Sequence, residues 1–182
     1  MSRLGPLLLL VCLVAAGCAR SMGPARTTEE ARARVAALLD APDAGASEFA
    51  AVGPEAIPAL QAELLDTQAS EARRLAAARA LAGLPGRAGL ATLGDAVGSP
   101  RLTPALRDAA AEELGSHDRD EAVARLGPLL GAQDPSVRSA AARGLGRAGG
   151  AAARKSLEDR LEQEEDPAVR ERLQAALARI QP

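Results

Sequence analysis

The sequence predicts an all-α chain, an α-solenoid of about four to five stacked antiparallel helix pairs. Three observations carry that expectation. Asp134-Pro135-Ser136-Val137-Arg138 returns 32 positions later as Asp166-Pro167-Ala168-Val169-Arg170. Self-similarity at such a period marks stacked repeats. Two leucine ladders run on the same period. Period-two alternation is missing, and there is little Val, Ile or aromatic content, so strands are not expected.

The register comes from the arginine. Taking Arg138 as reference, its equivalents are Arg74, Arg107 and Arg170, at steps of 33, 31 and 32. Seven residues after each stands Leu81, Leu114, Leu145 or Leu177, followed by a small residue: Ala82, Gly115, Gly146, Ala178. Alanines fill the interval, as in Ala76–Ala78, Ala109–Ala111 and Ala140–Ala142. The second ladder is Leu60, Leu93, Leu126 and Leu157, each with an apolar residue four later: Leu64, Val97, Leu130, Leu161. Each unit is therefore one helix per ladder.

The clearest unit shows the logic of the pair. Asp134 caps the first helix, accepting from its free N–H groups, and Pro135 takes the first helical position, where a missing N–H costs nothing. Asp166-Pro167 and Thr103-Pro104 repeat the device, and Ser70-Glu71 is a variant with an acidic first turn. Val137, Ala141 and Leu145, with Ala140, form one apolar stripe. Gly149-Gly150 ends the helix. The second helix, over about 151–164, presents Leu157 and Leu161 on one face.

Upstream, Thr28 to Leu39 reads as a helix capped by Thr27 or Thr28, with Glu29 and Glu30 in its first turn. Ala41-Pro42-Asp43-Ala44-Gly45 breaks it. Ser47 to Val52 is a short, degenerate first helix, and Gly53-Pro54 opens a second one through Ile57 to Leu65. Terminal units of such arrays are atypical because one face meets water. The repeat domain is thus expected over 28–182, with a degenerate unit at 28–65 and clearer units at 70–182.

The first residues have the anatomy of a leader. Arg3 is a short positive region, Leu7 to Val14 an apolar core, and Ala15-Ala16-Gly17 places small residues before Cys18. The stretch Leu4 to Gly17 has 14 residues, short of the about 20 that a spanning helix needs. Small residues before a cysteine resemble the lipobox of bacterial lipoproteins. That resemblance implies a signal over 1–17, Cys18 as the lipidated mature N-terminus, and a flexible tether over 18–27. An ordinary cleaved signal, giving a soluble exported protein, is the alternative. Cys12 leaves with the signal, so no disulfide is expected in the mature chain. By analogy with lipoprotein sorting, Ala19 favours the outer over the inner membrane of the cell envelope.

The string from Asp134 to Gly146, Asp-Pro-x-Val-Arg then small residues then Leu-Gly, resembles the HEAT repeat family. It resembles more narrowly the bacterial HEAT-like repeats of phycobilin lyase subunits. The resemblance covers about 45–182 and implies an α-solenoid whose concave face binds another protein, identity unstated by the sequence.

Chemistry is little supported. His117 is the single histidine. It lacks metal-binding companions, so no metal site is expected, and it reads as an exposed loop or cap residue. No nucleophile elbow or phosphate loop is present. Phe49 is the single aromatic residue, so no flat cofactor is expected. The chain has formal charge −2, reaching −3 when Arg3 leaves with the leader. No nucleic acid is therefore expected as partner.

Arg74, Arg107, Arg138 and Arg170, with Asp134 and Asp166, are read as structural. By the same resemblance the expected partner is an acid near the helix start of the same or the adjacent unit; Asp134 with Arg138 and Asp166 with Arg170 have the i,i+4 spacing for it. The run Glu158, Asp159, Glu162, Glu164, Glu165, Asp166 is read as a solvated helix end. Specificity is sought on exposed positions of the second helices. The functional expectation is a non-enzymatic, monomeric, membrane-anchored interaction scaffold without cofactor. An accessory subunit resembling the lyase partners and a purely structural spacer are the other readings.

Overall fold

A computed structural model describes residues 23–25, 27–41 and 43–180. The leader, Cys18 and the first part of the expected tether lie outside the described residues. Among those residues every regular element is helical: α1 (Thr28–Leu39), α2 (Ala46–Ala51), α3 (Ala56–Leu65), α4 (Glu71–Gly83), α5 (Ala88–Val97), α6 (Pro104–His117), α7 (Arg119–Leu126), a 3-10 turn (Pro128–Gly131), α8 (Pro135–Ala148), α9 (Gly150–Gln163) and α10 (Pro167–Arg179). The first helices of the units are α2, α4, α6, α8 and α10. They pack on one another in succession, and α4, α6 and α8 also pack on their own partners α5, α7 and α9. This is the α-solenoid that the repeat predicts.

Helix starts follow the caps. Ser70 accepts from Arg73 N, Thr103 from Leu106 N, Asp134 from Ser136 N, and Asp166 from Ala168 N and Val169 N. Thr27 caps α1 by accepting from Glu30 N. The turn between α8 and α9 is built on Gly149 and Gly150, at φ 69° and 84°. Side-chain-bearing residues avoid that region, so glycine fits the reversal.

The core is the two ladders. Leu60, Leu81, Leu93, Leu114, Leu126, Leu145 and Leu157 are fully buried. Between them lie buried alanines at 77, 78, 110, 111 and 140–142. Small residues let the first helices close up. A Cβ on Gly144 would stand 2.6 Å from Ala111 O, and one on Gly146 would stand 2.8 Å from the Ala176 Cβ. A Cβ on Gly115 would overlap Gly144 O. The crossings α6–α8 and α8–α10 thus bring backbone to backbone, with little leucine between.

Three details depart from the sequence expectation. The second helix carrying Leu126 and Leu130 is broken: α7 stops at Leu126 and a 3-10 turn follows. Pro128 has no N–H to continue the helical ladder. Leu130 remains buried all the same. Leu161 and Leu177 are only half-buried, because no further described helix covers their unit. Gly23 and Ala25, in the expected tether, are held on the domain: Arg34 Nη1 donates to Gly23 O at 2.7 Å, and Ala25 N to Val52 O at 2.8 Å.

Candidate functional site

The repeat-register arginines turn inward and close the ends of the second helices. The last carbonyls of a helix have no intrahelical donor and carry partial negative charge. Arg74 Nε donates to Leu64 O at 2.8 Å, Arg107 Nε to Val97 O at 2.9 Å, and Arg170 Nη1 to Leu161 O at 2.9 Å. Arg138 follows the broken helix, so it reaches Ala132 O and Gln133 O instead, both at 2.9 Å. Arg74, Arg107 and Arg138 are 5, 4 and 8 % exposed.

Three of the four also reach the segment that leads into the next unit. Arg74 Nη2 donates to Arg101 O. Arg107 Nη1 reaches Asp134 Oδ2 at 3.3 Å and also the Ser136 hydroxyl. Arg138 forms a two-pronged pair with Glu164, at 2.7 and 2.9 Å. The i,i+4 pairing expected for Asp134–Arg138 and Asp166–Arg170 is therefore replaced. Asp134 pairs with Arg107 of the preceding unit, and Arg138 looks ahead to Glu164. The reason is geometric: the caps spend their carboxylates on backbone N–H groups beside them, while the arginines run back along the carbonyl end of the preceding helix.

Glu164 also corrects the solvated-end reading of the acidic run. It is 3 % exposed, accepts from Arg160 Nη2 at 2.8 Å and from Asp166 N at 3.0 Å. The Arg138 hydrogen bonds hold its carboxyl at about 2, against the opposing effect of burial. Sequence reading missed it because nothing in an acidic run distinguishes the one member that turns inward.

A second set of charges lies on the exposed side of the first helices. Carboxylates of α6 stand in the middle: Asp108, Glu112 and Glu113. Arg79 of α4 reaches Glu113 at 3.4 Å. From α8, Arg143 Nε lies 2.9 Å from Glu112 Oε1 and Nη1 3.5 Å from Asp108, while Arg147 Nε donates to the Ser116 hydroxyl at 2.8 Å. From α10, Arg179 reaches Glu112 at 3.4 Å and Arg172 reaches Asp108 at 4.0 Å. These last contacts pass over α8. The first helices α6, α8 and α10 therefore share one continuous charged face, and the search for specificity moves from the second helices to them.

Arg143 Nε has no aligned hydrogen bond despite its short approach to Glu112, while its Nη2 donates to Oε2 at 3.1 Å. Burial pushes the Glu112 carboxyl up, but hydrogen bonds from Arg143 and Arg179 outweigh it and hold the group below its ordinary value. Burial raises Asp108 above its ordinary value, in spite of Arg172 and Arg143 nearby. Two clefts open beside Arg179. One of about 130 Å³ is lined by Arg143, Arg172, Ala175, Ala176 and Arg179. The other, about 450 Å³, is lined by Glu112, Glu113, Ser116, Arg147 and Arg179.

His117 ends α6, exposed, with Nδ1 2.8 Å from Glu113 O. Among the described residues no group of three or more His, Cys, Asp or Glu is arranged to hold a metal ion. Among them, too, no helix is long and apolar enough to cross a membrane.

A family model of HEAT repeats matches residues 100–178. Among solved structures, the complex of CpcE and CpcF of phycocyanin lyase from Nostoc sp. PCC7120 is similar at 24% identity and a TM-score of 0.52, over 79% of this chain and 98% of that one. A computationally designed armadillo repeat protein for modular peptide recognition is similar at 19% identity and a TM-score of 0.46, over 86% and 78%. No curated protein sequence matches the chain.

Proposed function

We propose that this chain is a non-catalytic, membrane-anchored lipoprotein of the bacterial cell envelope whose repeat domain serves as a protein–protein interaction scaffold, monomeric and without cofactor. The observation that carries the scaffold reading is the exposed face of the first helices, where charges of α4, α6, α8 and α10 meet across four successive units. Convergence of side chains from consecutive repeats on one surface is how stacked-helix proteins present extended binding sites. The similar Nostoc structure is a complex of two proteins, which supports a protein as the occupant here. The anchor rests on Ala15-Ala16-Gly17-Cys18 behind an apolar core. Several acyl chains on one cysteine hold a protein stably on a bilayer.

Crosslinking in the native envelope tests the scaffold: one protein is recovered reproducibly, and recovery of nothing specific contradicts the reading. Membrane fractionation of Cys18→Ala tests the anchor. The variant leaves the membrane fraction; a variant that remains there contradicts lipidation at Cys18.

A further inference from the structure

We propose that the charged face of α6, α8 and α10 docks an extended acidic segment of the partner protein, its carboxylates held by Arg143, Arg147, Arg172 and Arg179. This rests on the reading of that face as a protein-binding surface and specifies the chemistry of what binds.

Local charge is the first argument. The linked set holds the arginines 79, 143, 147, 172 and 179 against Asp108, Glu112 and Glu113, a local excess of two positive charges in a chain of net charge −2. The rest of the chain then sums to −4 (−2 less +2), so this face is the favoured landing for an acidic segment.

Unused donors are the second argument. A guanidinium carries five N–H donors. The buried Arg138 makes four hydrogen bonds and Arg107 another four. Arg172, by contrast, has a single 4.0 Å ion pair with Asp108. Arg147 gives only Nε, to Ser116. Arg179 shares Glu112 with Arg143 at a loose 3.4 Å. Arg172 and Arg179 are 42 and 48 % exposed, so their free edges are open to a ligand. A carboxylate takes two parallel N–H bonds from such an edge.

Spacing is the third. Arg143 and Arg147 are four residues apart on α8, about 6 Å along the axis. Alternate side chains of an extended chain repeat at about 6.6 Å. An acidic–x–acidic segment therefore presents its carboxylates at the arginine spacing, and the two clefts beside Arg179 receive its flanking residues. The interleaved Glu112, Glu113 and Asp108 accept from the segment's backbone N–H groups.

The test uses the full chain in detergent and a fluorescein-labelled peptide of alternating glutamate and serine, read by anisotropy. The peptide binds saturably and more weakly as salt rises, while its glutamine and lysine analogues do not. Arg172→Glu with Arg179→Glu weakens binding by about tenfold or more, with the melting curve unchanged; Arg32→Glu on α1 leaves it unaltered. If charge reversal lowers the melting temperature, Arg172→Gln with Arg179→Gln replaces it with the same direction expected. Absence of saturable binding, equal binding by the reversed variant, or tighter binding of an oligothymidylate of equal charge overturns the inference. A photocrosslinker at Ala175 in the envelope separates the two readings. Capture there of a partner lacking acidic segments retains the scaffold and removes the acidic ligand; no capture from any face removes both.

Discussion

The leading segment, 28–65, and the repeats from 70 onward are built from similar amounts of alanine and leucine, yet they are held together differently. Buried Arg74 and Arg107 satisfy the carbonyl end of the helix behind them and reach the segment leading into the next unit, and Arg138 does so from loop carbonyls to Glu164. Glycines of α6 and α8 bring α6, α8 and α10 to backbone contact. The leading segment has neither device. Its first helix, α2, is six residues long, and packing rests on Val35, Phe49, Val52, Leu60 and Leu64 among α1, α2 and α3. Its arginine pairs are half-exposed: Arg34 with Glu30, and Arg73 of α4 reaching back to Asp40 and Glu63. The lesson is that the period in this sequence records joints between units rather than the helices themselves, and where the joints are missing the fold becomes a cap.

Breaking a joint has the largest expected effect. Arg138→Ala leaves the buried Glu164 carboxylate with Arg160 as its one cationic partner and two loop carbonyls unpaired, costing about 2–3 kcal/mol, read as a fall in the urea midpoint. Gly144→Ala follows at about 1–3 kcal/mol, because its Cβ would meet both Ala111 O and the Leu126 side chain. Phe49→Ala separates the two regions. Hydrogen exchange accelerates across 28–65 while α8 and α10 keep their protection, since solenoid stability is nearly additive over neighbours. Uniform acceleration would mean that the cap and repeats are one cooperative unit.

Acid sharpens the same contrast. Glu164 is held at about 2 in the folded chain, below its ordinary 4.5. A depressed carboxyl stabilises the fold fully above its unfolded value and loses that contribution as pH falls toward the folded one. Stability of the α8–α10 joint therefore declines between pH 4.5 and 2. In Glu164→Gln that part of the acid dependence is absent, as pH-dependent melts would show. Removing a cap is milder: Asp166→Ala costs about 1 kcal/mol. Lys155→Ala, which removes an exposed pair with Asp159 on α9, leaves the melting temperature unchanged.

The helices and their starts were legible because they depend on local chemistry. Asp or Thr before Pro, leucine every 32 or so residues and Gly149-Gly150 each act within a few positions of themselves. Partners of the arginines were not legible. Arg107 and Asp134 are 27 residues apart and Arg138 and Glu164 are 26, and only the assembled stack shows that such distances close. The nearer acid at i−4 was the natural reading, and it is the one that backbone caps consume. The charged face was hidden for a related reason. Arg147 and Arg179 do recur, 32 residues apart, but the equivalent earlier positions are Ser116 and Gly83, and Arg143 and Arg172 have no counterpart at that spacing, so the repeat does not mark the set; packing of the first helices gathers it.

The central claim is that the repeat arginine is a clasp between units. A double-mutant cycle in urea on Arg138→Ala and Glu164→Ala tests it most directly. The clasp predicts a coupling on the order of 2 kcal/mol, the double variant being less damaged than the two single losses together. Single losses that add to within about 0.5 kcal/mol would contradict it.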